Sequence, residues 1–176
     1  WEESLEGIRE RVGVNAVPLH LPIGEKEGFK GVVDLIKMKA HVREGDKIVE
    51  MDIPAEYEDA AQEAREALMD PAAEAVDELM EKYLEEMTLT DEELIRGLKA
   101  GIFAGSFYPV FATAADTEVG VGTMLRSVVD LMPSPAIRPE IKGNDGDGEE
   151  KSFACSADGD QMLYAFKKQY EAQGGD

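Results

Sequence analysis

The sequence predicts an α/β fold in which helices pack on a small, mainly antiparallel sheet. Runs of β-branched residues bounded by glycine lie between Val17 and Ile53, and helical spacing replaces them after Pro54. A strand, a turn and a helix follow from Tyr108 to Leu131, which is half of a βαβ unit. The length of 176 residues suits one domain with a buried core, or a domain plus part of its neighbour.

The first elements are a helix and several strands. Residues 4–12 place Leu5, Ile8 and Val12 on one side, which predicts the last turns of a helix already under way. The runs VPLHLPIG and GFKGVVDLIKMKAHV predict strands, and REGDKIVEMDI adds another through a Glu-Gly-Asp turn. These runs form the predicted sheet.

Two helices are predicted directly after the sheet. Asp70-Pro71 is typical of a cap followed by a proline in the first turn, so we expect one helix near Ala55–Met69 and a second near Pro71–Met87. The second helix carries an apolar stripe, which we interpret as core and not as a cofactor site: Val76, Leu79, Met80, Tyr83, Leu84 and Met87.

A third helix precedes the strand, turn and final helix. Thr90 and Glu93 form a capping box that opens it, and Gly101 or Gly105 ends it. The last helix is predicted near residues 122–131. Its apolar residues are spaced to pack on a sheet: Met124, Leu125, Val128, Val129 and Met132.

The C-terminal part predicts a linker and the start of another domain. Residues 136–160 are rich in proline, glycine and acid, which favours an exposed linker, and residues 161–176 predict a first strand. The acidic run 144–149 is similar to a calcium loop, but Glu150 and Ser156 stand where glycine and glutamate are needed. With Trp1 at its start and a strand-like run near its end, the chain is expected to be part of a longer protein.

Charge and cysteine content exclude several classes of protein. The net charge of -20 repels phosphate backbones and anionic lipid, so we expect no nucleic-acid or membrane binding. Cys155 is alone and the two histidines have no cysteine partners, which argues against a disulfide or a zinc site and fits a reducing cytoplasm. Two scattered histidines give no basis for a nucleophilic triad, and no P-loop motif is present.

The acidic excess is concentrated between Glu50 and Glu93, where seventeen acidic residues face only two basic ones. Within it, Glu74, Glu78 and Glu81 lie at i, i+4 and i+7 of the predicted second helix, on one face away from the apolar stripe. Such a face is either an ordinary solvated surface or a docking surface for lysine and arginine.

The order of the segments resembles translation elongation factor G. The similar segments are VNAVPLHLPIG, FKGVVDLIKMKA, DIPAEYEDAA, AAEAVDELMEKYLE, LTDEELIRGLKAG, PVFATAADTEVGV and MLRSVVDLMPSP. The resemblance implies that residues 1–135 are the C-terminal part of a P-loop-type GTP-binding domain, including its last strand and helix. It also implies that an inserted subdomain, often called G-prime, occupies about residues 15–108.

The resemblance gives the turn after Tyr108 a role. In this family a Ser-Ala pair there contacts the guanine O6 through a backbone amide, and Thr113-Ala114 or Ala114-Ala115 takes its place here. The sequence DTEVG departs from the family and is one residue longer, which points to a divergent paralogue similar to elongation factor G. A plain tight turn remains the alternative. The intact parent would use GTP and magnesium. This chain lacks the P-loop, switches and catalytic histidine, so we expect it to need no cofactor and to be inactive alone.

The resemblance also implies a partner and a function. In the family, the long acidic helix faces the C-terminal domain of the ribosomal stalk protein, which assigns that contact to Glu74, Glu78 and Glu81. The intact protein would then drive ribosomal translocation. The alternatives are a ribosomal-protection or release-factor type of translational GTPase, and a free-standing acidic protein-interaction module.

Overall fold

The computed structural model describes residues 1–137, 140–144, 147–159 and position 167. They form two compact units, the first comprising residues 1–133 and the second beginning at Ser134. The first unit is a mixed α/β structure with a small antiparallel sheet, which confirms the predicted fold class.

The sheet of the first unit has four antiparallel strands in sequence order, β2 to β5. Their bounds are β2 His20–Ile23, β3 Gly31–Asp34, β4 Lys39–Glu44 and β5 Lys47–Met51. His20 pairs with Asp34, Val32 with His41, and His41 with Glu50. Because directly paired residues point to the same side, one face of the sheet carries two histidines and two carboxylates.

The other face of the sheet shares one hydrophobic core with three helices: α2 Ala55–Glu74, α3 Asp77–Glu86 and α4 Asp91–Ala104. Large, fully buried apolar side chains come from the strands, these helices and the segments that flank them, and they include Leu19, Ile23, Val33, Leu35, Leu68, Leu79, Leu94, Leu98 and Phe107. Helix α4 begins with the predicted capping box, in which the Glu93 N–H donates to Thr90 Oγ1 at 3.3 Å. It ends at Gly105, which has a φ of 72°.

The prediction that Asp70-Pro71 separates two helices was wrong. Helix α2 runs through Pro71 to Glu74, and the break falls at Val76, whose extended backbone caps α3. Pro71 cannot donate to the Ala67 carbonyl, but Ala67 is exposed, so water can satisfy that oxygen. Beyond the proline, Ala72 and Ala73 are fully buried, and this packing offsets the lost hydrogen bond.

A parallel pair of short strands lies beside the antiparallel sheet. Strand β1 Ala16–Pro18 follows helix α1 Glu2–Val12, and β6 Tyr108–Val110 follows α4. The two strands pair in register from Ala16 opposite Tyr108 to Pro18 opposite Val110. The intervening chain, which includes the whole antiparallel sheet and helices α2 to α4, therefore leaves and returns at this pair.

Helix α5, Val121–Leu131, buries a different face from the one predicted. Its buried residues are Thr123, Ser127 and Leu131, whereas Leu125 and Val129 are 55% and 81% exposed. The helix packs near α4 through Leu131, which joins the hydrophobic core, and through two small polar side chains, of which Ser127 Oγ donates to the Thr123 carbonyl at 3.1 Å. The apolar face is consequently uncovered among the described residues.

The second unit contains a β-hairpin of β7 Glu140–Asn144 and β8 Glu150–Ala154. The interpretation of residues 136–160 as a linker did not include these strands, although most of their residues are exposed as expected. The strand predicted for residues 161–176 lies outside the described residues.

Candidate functional site

The turn between β6 and α5 is closed by its own hydrogen bonds. The Ala114 N–H donates to the Val119 carbonyl at 2.9 Å, and Thr117 Oγ1 donates to the Ala114 carbonyl at 3.5 Å. Gly120 ends the turn with a φ of 73° and caps α5. A Cβ at Gly120 would collide with the Ala112 carbonyl, so only glycine fits there.

Two of the residues that the sequence analysis assigned to the guanine contact have an available backbone donor. Thr113 and Ala115 are exposed, and neither N–H has an acceptor among the described residues. The Ala114 N–H, by contrast, is engaged within the turn. Of the three residues predicted from the sequence to contact guanine, Thr113 and Ala115 therefore present the free N–H groups.

His20 lies directly beneath this turn and is 1% exposed. Its Nδ1 is 3.3 Å from the Ala112 carbonyl oxygen, and its ring meets that of Phe111 edge-on with centroids 5.0 Å apart. Its Nε2 is buried without a hydrogen-bond partner among the described residues. Sequence reasoning missed this histidine because its isolated position gave no signal of a contact with a distant turn.

His41 is the second buried histidine on the same sheet face. Its Nε2 is 3.7 Å from Glu50 Oε2, which is too long for a hydrogen bond. Burial lowers the pKa of both His20 and His41, because the charged imidazolium loses hydration. Below about pH 6.5 the unfolded chain therefore binds more protons at these two histidines than the folded chain does. Their effect is to lower the free energy of unfolding as the pH falls below about 6.5, and above that pH the loss is absent.

The three glutamates predicted as a docking face are all exposed, but they do not share one helix. Glu74 is the last residue of α2, whereas Glu78 and Glu81 lie on α3 after the break at Val76. Glu78 accepts a hydrogen bond from Arg96 of α4 at 2.7 Å. The predicted i, i+4, i+7 geometry was thus wrong, because it assumed a continuous helix through Val76.

Glu74 instead borders an apolar groove between α2 and α3. The groove is lined by Asp70, Glu74, Met80, Tyr83, Leu84 and Met87. The prediction that the whole apolar stripe is core was wrong: Leu79 is 1% exposed, but Leu84 and Met87 are 66% and 70% exposed. Burial, followed by a hydrogen bond with Asp70, raises the pKa of Tyr83.

The described residues include no cluster of three or more His, Cys, Asp or Glu side chains placed to hold a metal ion. Their helices are also too short or too polar to cross a bilayer.

No protein-family model matches this chain. A crystal structure of a protein from Thermus thermophilus is similar, with a TM-score of 0.69 and 29% sequence identity. The similarity covers 78% of this chain and 21% of that protein. The chain therefore has a structural relative and spans about a fifth of its length.

Proposed function

We propose that the chain is part of a translational GTPase of the elongation factor G type, acting in ribosomal translocation in the cytoplasm. Its inserted subdomain, about residues 15–108, docks the C-terminal domain of the ribosomal stalk protein. The observation that carries the proposal is that Glu74, Glu78 and Glu81 are all exposed and that Glu74 borders the apolar groove. Acidic charge next to exposed apolar side chains suits a basic partner with an apolar anchor.

Two basic residues of helices α2 and α3 are already paired with carboxylates in the first turn of α4. Arg65 pairs with Asp91, and Lys82 lies 2.7 Å from Glu93. Glu74 and Glu81 have no ion pair among the described residues, so their charges are available to a partner. Glu78 already pairs with Arg96, so its replacement would also break that pair, and Glu81 is the better position to mutate.

The nucleotide side of the proposal depends on the turn at Thr113 and Ala115. Two exposed N–H donors fit a carbonyl oxygen such as guanine O6, and they would reject the amino group of adenine. GTP phosphates and magnesium would be held by a P-loop, which this sequence lacks. Further strands of a GTPase sheet would cover the apolar face of α5 and extend the two-stranded parallel pair, because small parallel sheets are normally buried.

Binding to the stalk domain tests the docking proposal. Glu81→Lys should weaken binding about three- to tenfold at low salt, because an attractive exposed pair becomes repulsive. Glu63→Lys is the matched control, since Glu63 is exposed on α2 and the change in net charge is equal. Equal affinity at low and high salt, or equal effects of the two variants, would refute the docking proposal.

The native reading frame upstream of Trp1 tests the GTPase proposal. A P-loop, followed by Asn-Lys-x-Asp shortly before α1, is expected. A start codon near Trp1 would refute the GTPase and leave an acidic docking module.

A further inference from the structure

His20 is a buried group that the proposed docking and nucleotide contacts do not use. It begins β2 on the face of the sheet turned away from the α2–α4 helices, and it reaches Ala112 across 92 positions of sequence. Ala112 immediately precedes Thr113, the first residue of the proposed guanine contact. A side chain of the inserted sheet therefore touches the base of the turn.

The hydrogen bond fixes the protonation of the ring. A carbonyl can only accept, so the Nδ1 of His20 must carry the proton and donate to the Ala112 oxygen. Burial disfavours the charged ring and lowers the pKa of His20, so Nε2, which has no partner among the described residues, is the unprotonated nitrogen. The neutral ring with one defined tautomer is a directional donor to a single acceptor.

The Ala112 carbonyl also lies close to the backbone of Gly120. Gly120 approaches it so closely that no Cβ would fit, and Val119 closes the turn onto Ala114. The carbonyl is thus in contact with His20 and has little free space on the side of the Gly120 backbone. Rotation of the peptide that joins Ala112 to Thr113 would turn the Thr113 N–H, because the carbonyl and that N–H belong to the same planar group.

We propose that His20 is a positioning residue for the turn: its Nδ1–H holds the Ala112 carbonyl and so orients the Thr113 N–H for a guanine oxygen. The contact between the Thr113 N–H and a guanine oxygen rests on the proposed function. The arrangement links the inserted sheet to the nucleotide contact through one hydrogen bond.

Three substitutions at His20 test the bond in the 176-residue chain. Asparagine places an amide nitrogen where Nδ1 stands, glutamine places it one bond further out, and phenylalanine keeps the ring but removes the donor. We expect His20→Phe and His20→Gln to shift the amide resonances of Thr113 to Ala115 and to raise the hydrogen exchange of Ala114 about tenfold. His20→Asn should restore both values.

His41→Phe is the matched control, because His41 is a buried histidine on the same sheet face with no hydrogen bond to the turn. It should leave the turn amides in place. Turn amides that stay unchanged in His20→Phe, or that move equally in His41→Phe, would overturn the positioning role. If His20→Phe does not fold, the contrast between asparagine and glutamine decides, since equal spectra for those two variants would also overturn it.

The effect of His20 on guanine binding is tested separately, in a longer protein that contains both this chain and a P-loop. His20→Phe should weaken GTP binding, and His20→Asn should restore it. A wild-type protein without affinity for GTP would overturn both the proposed function and the role of His20 in guanine binding. Wild-type GTP affinity in His20→Phe would overturn only the role of His20 in guanine binding.

Discussion

Replacing Arg65 with methionine removes the contacts that tie α2 to the turn after β3. Its Nη1 donates to the Leu35 and Ile36 carbonyls at 2.8 and 2.5 Å, and its Nη2 lies 2.5 Å from Asp91. Leu35 and Ile36 are buried, so water cannot replace the lost donors. Each unpaired carbonyl costs about 1–3 kcal/mol.

The ion pair with Asp91 should contribute much less, because the Asp91 side chain is 76% exposed. Exposed pairs contribute about 0–1 kcal/mol. Methionine retains most of the apolar packing of the arginine stem. Together these terms predict that Arg65→Met lowers the free energy of unfolding by about 3 kcal/mol, whereas Asp91→Asn lowers it by less than about 1 kcal/mol.

Urea denaturation at neutral pH, followed by far-ultraviolet circular dichroism, measures both values. A loss below about 1 kcal/mol for Arg65→Met would refute this prediction, since the carbonyl contacts would then contribute little. An equal loss for Asp91→Asn and Arg65→Met would also refute it, because the exposed ion pair would then dominate.

Three further predictions concern α4. Gly97→Ala should lower the Tm by more than about 5 °C in a thermal scan, because the new Cβ would collide with the Ala72 backbone; an unchanged Tm would contradict this contact. Thr90→Ala should cost about 1 kcal/mol in urea denaturation by removing the cap, and a neutral result would contradict its role. A hydrogen bond from Lys82, with others from Thr90, lowers the pKa of Glu93 to about 2, so its contribution is present above about pH 4.5 and is lost as the pH falls towards 2. Glu93→Gln should therefore flatten the acid-induced loss of stability in that range, and parallel pH curves would contradict this.

Elements determined by neighbouring residues could be predicted from the sequence. The antiparallel sheet follows from β-branched runs and their turns, and Gly45 with a φ of 62° occupies the predicted turn between β4 and β5. The capping box at Thr90 was correct for the same reason, since its two partners are three residues apart. Such signals need no knowledge of the tertiary structure.

Elements determined by distant packing could not be predicted in the same way. The burial of Ala72 and Ala73 stabilises the helical turn of α2 that follows Pro71, and nothing in the local sequence reveals that burial. For α5, periodicity identified an apolar face, but it could not show which side meets the described part of the fold.

The candidate site also combines features that neighbouring residues determine with features that depend on tertiary contacts. Sequence resemblance assigned Thr113, Ala114 and Ala115 to one turn, and these residues are adjacent by necessity. The engagement of the Ala114 N–H and the approach of His20 to Ala112 depend on the chain folding back, which is visible only in three dimensions. The position of Glu74 beside the groove likewise follows from the helix break at Val76.

The parallel pairing of β1 with β6 has a consequence for the order of folding. These three-residue strands join the two ends of the chain segment that runs from Leu19 to Phe107. Closing so long a segment as open coil costs more entropy than three pairs of residues can offset. We therefore expect the antiparallel sheet and its helices to form first and to bring the two strands together. In pulse-labelling experiments, the amides of this pair should be the last in the first unit to gain protection.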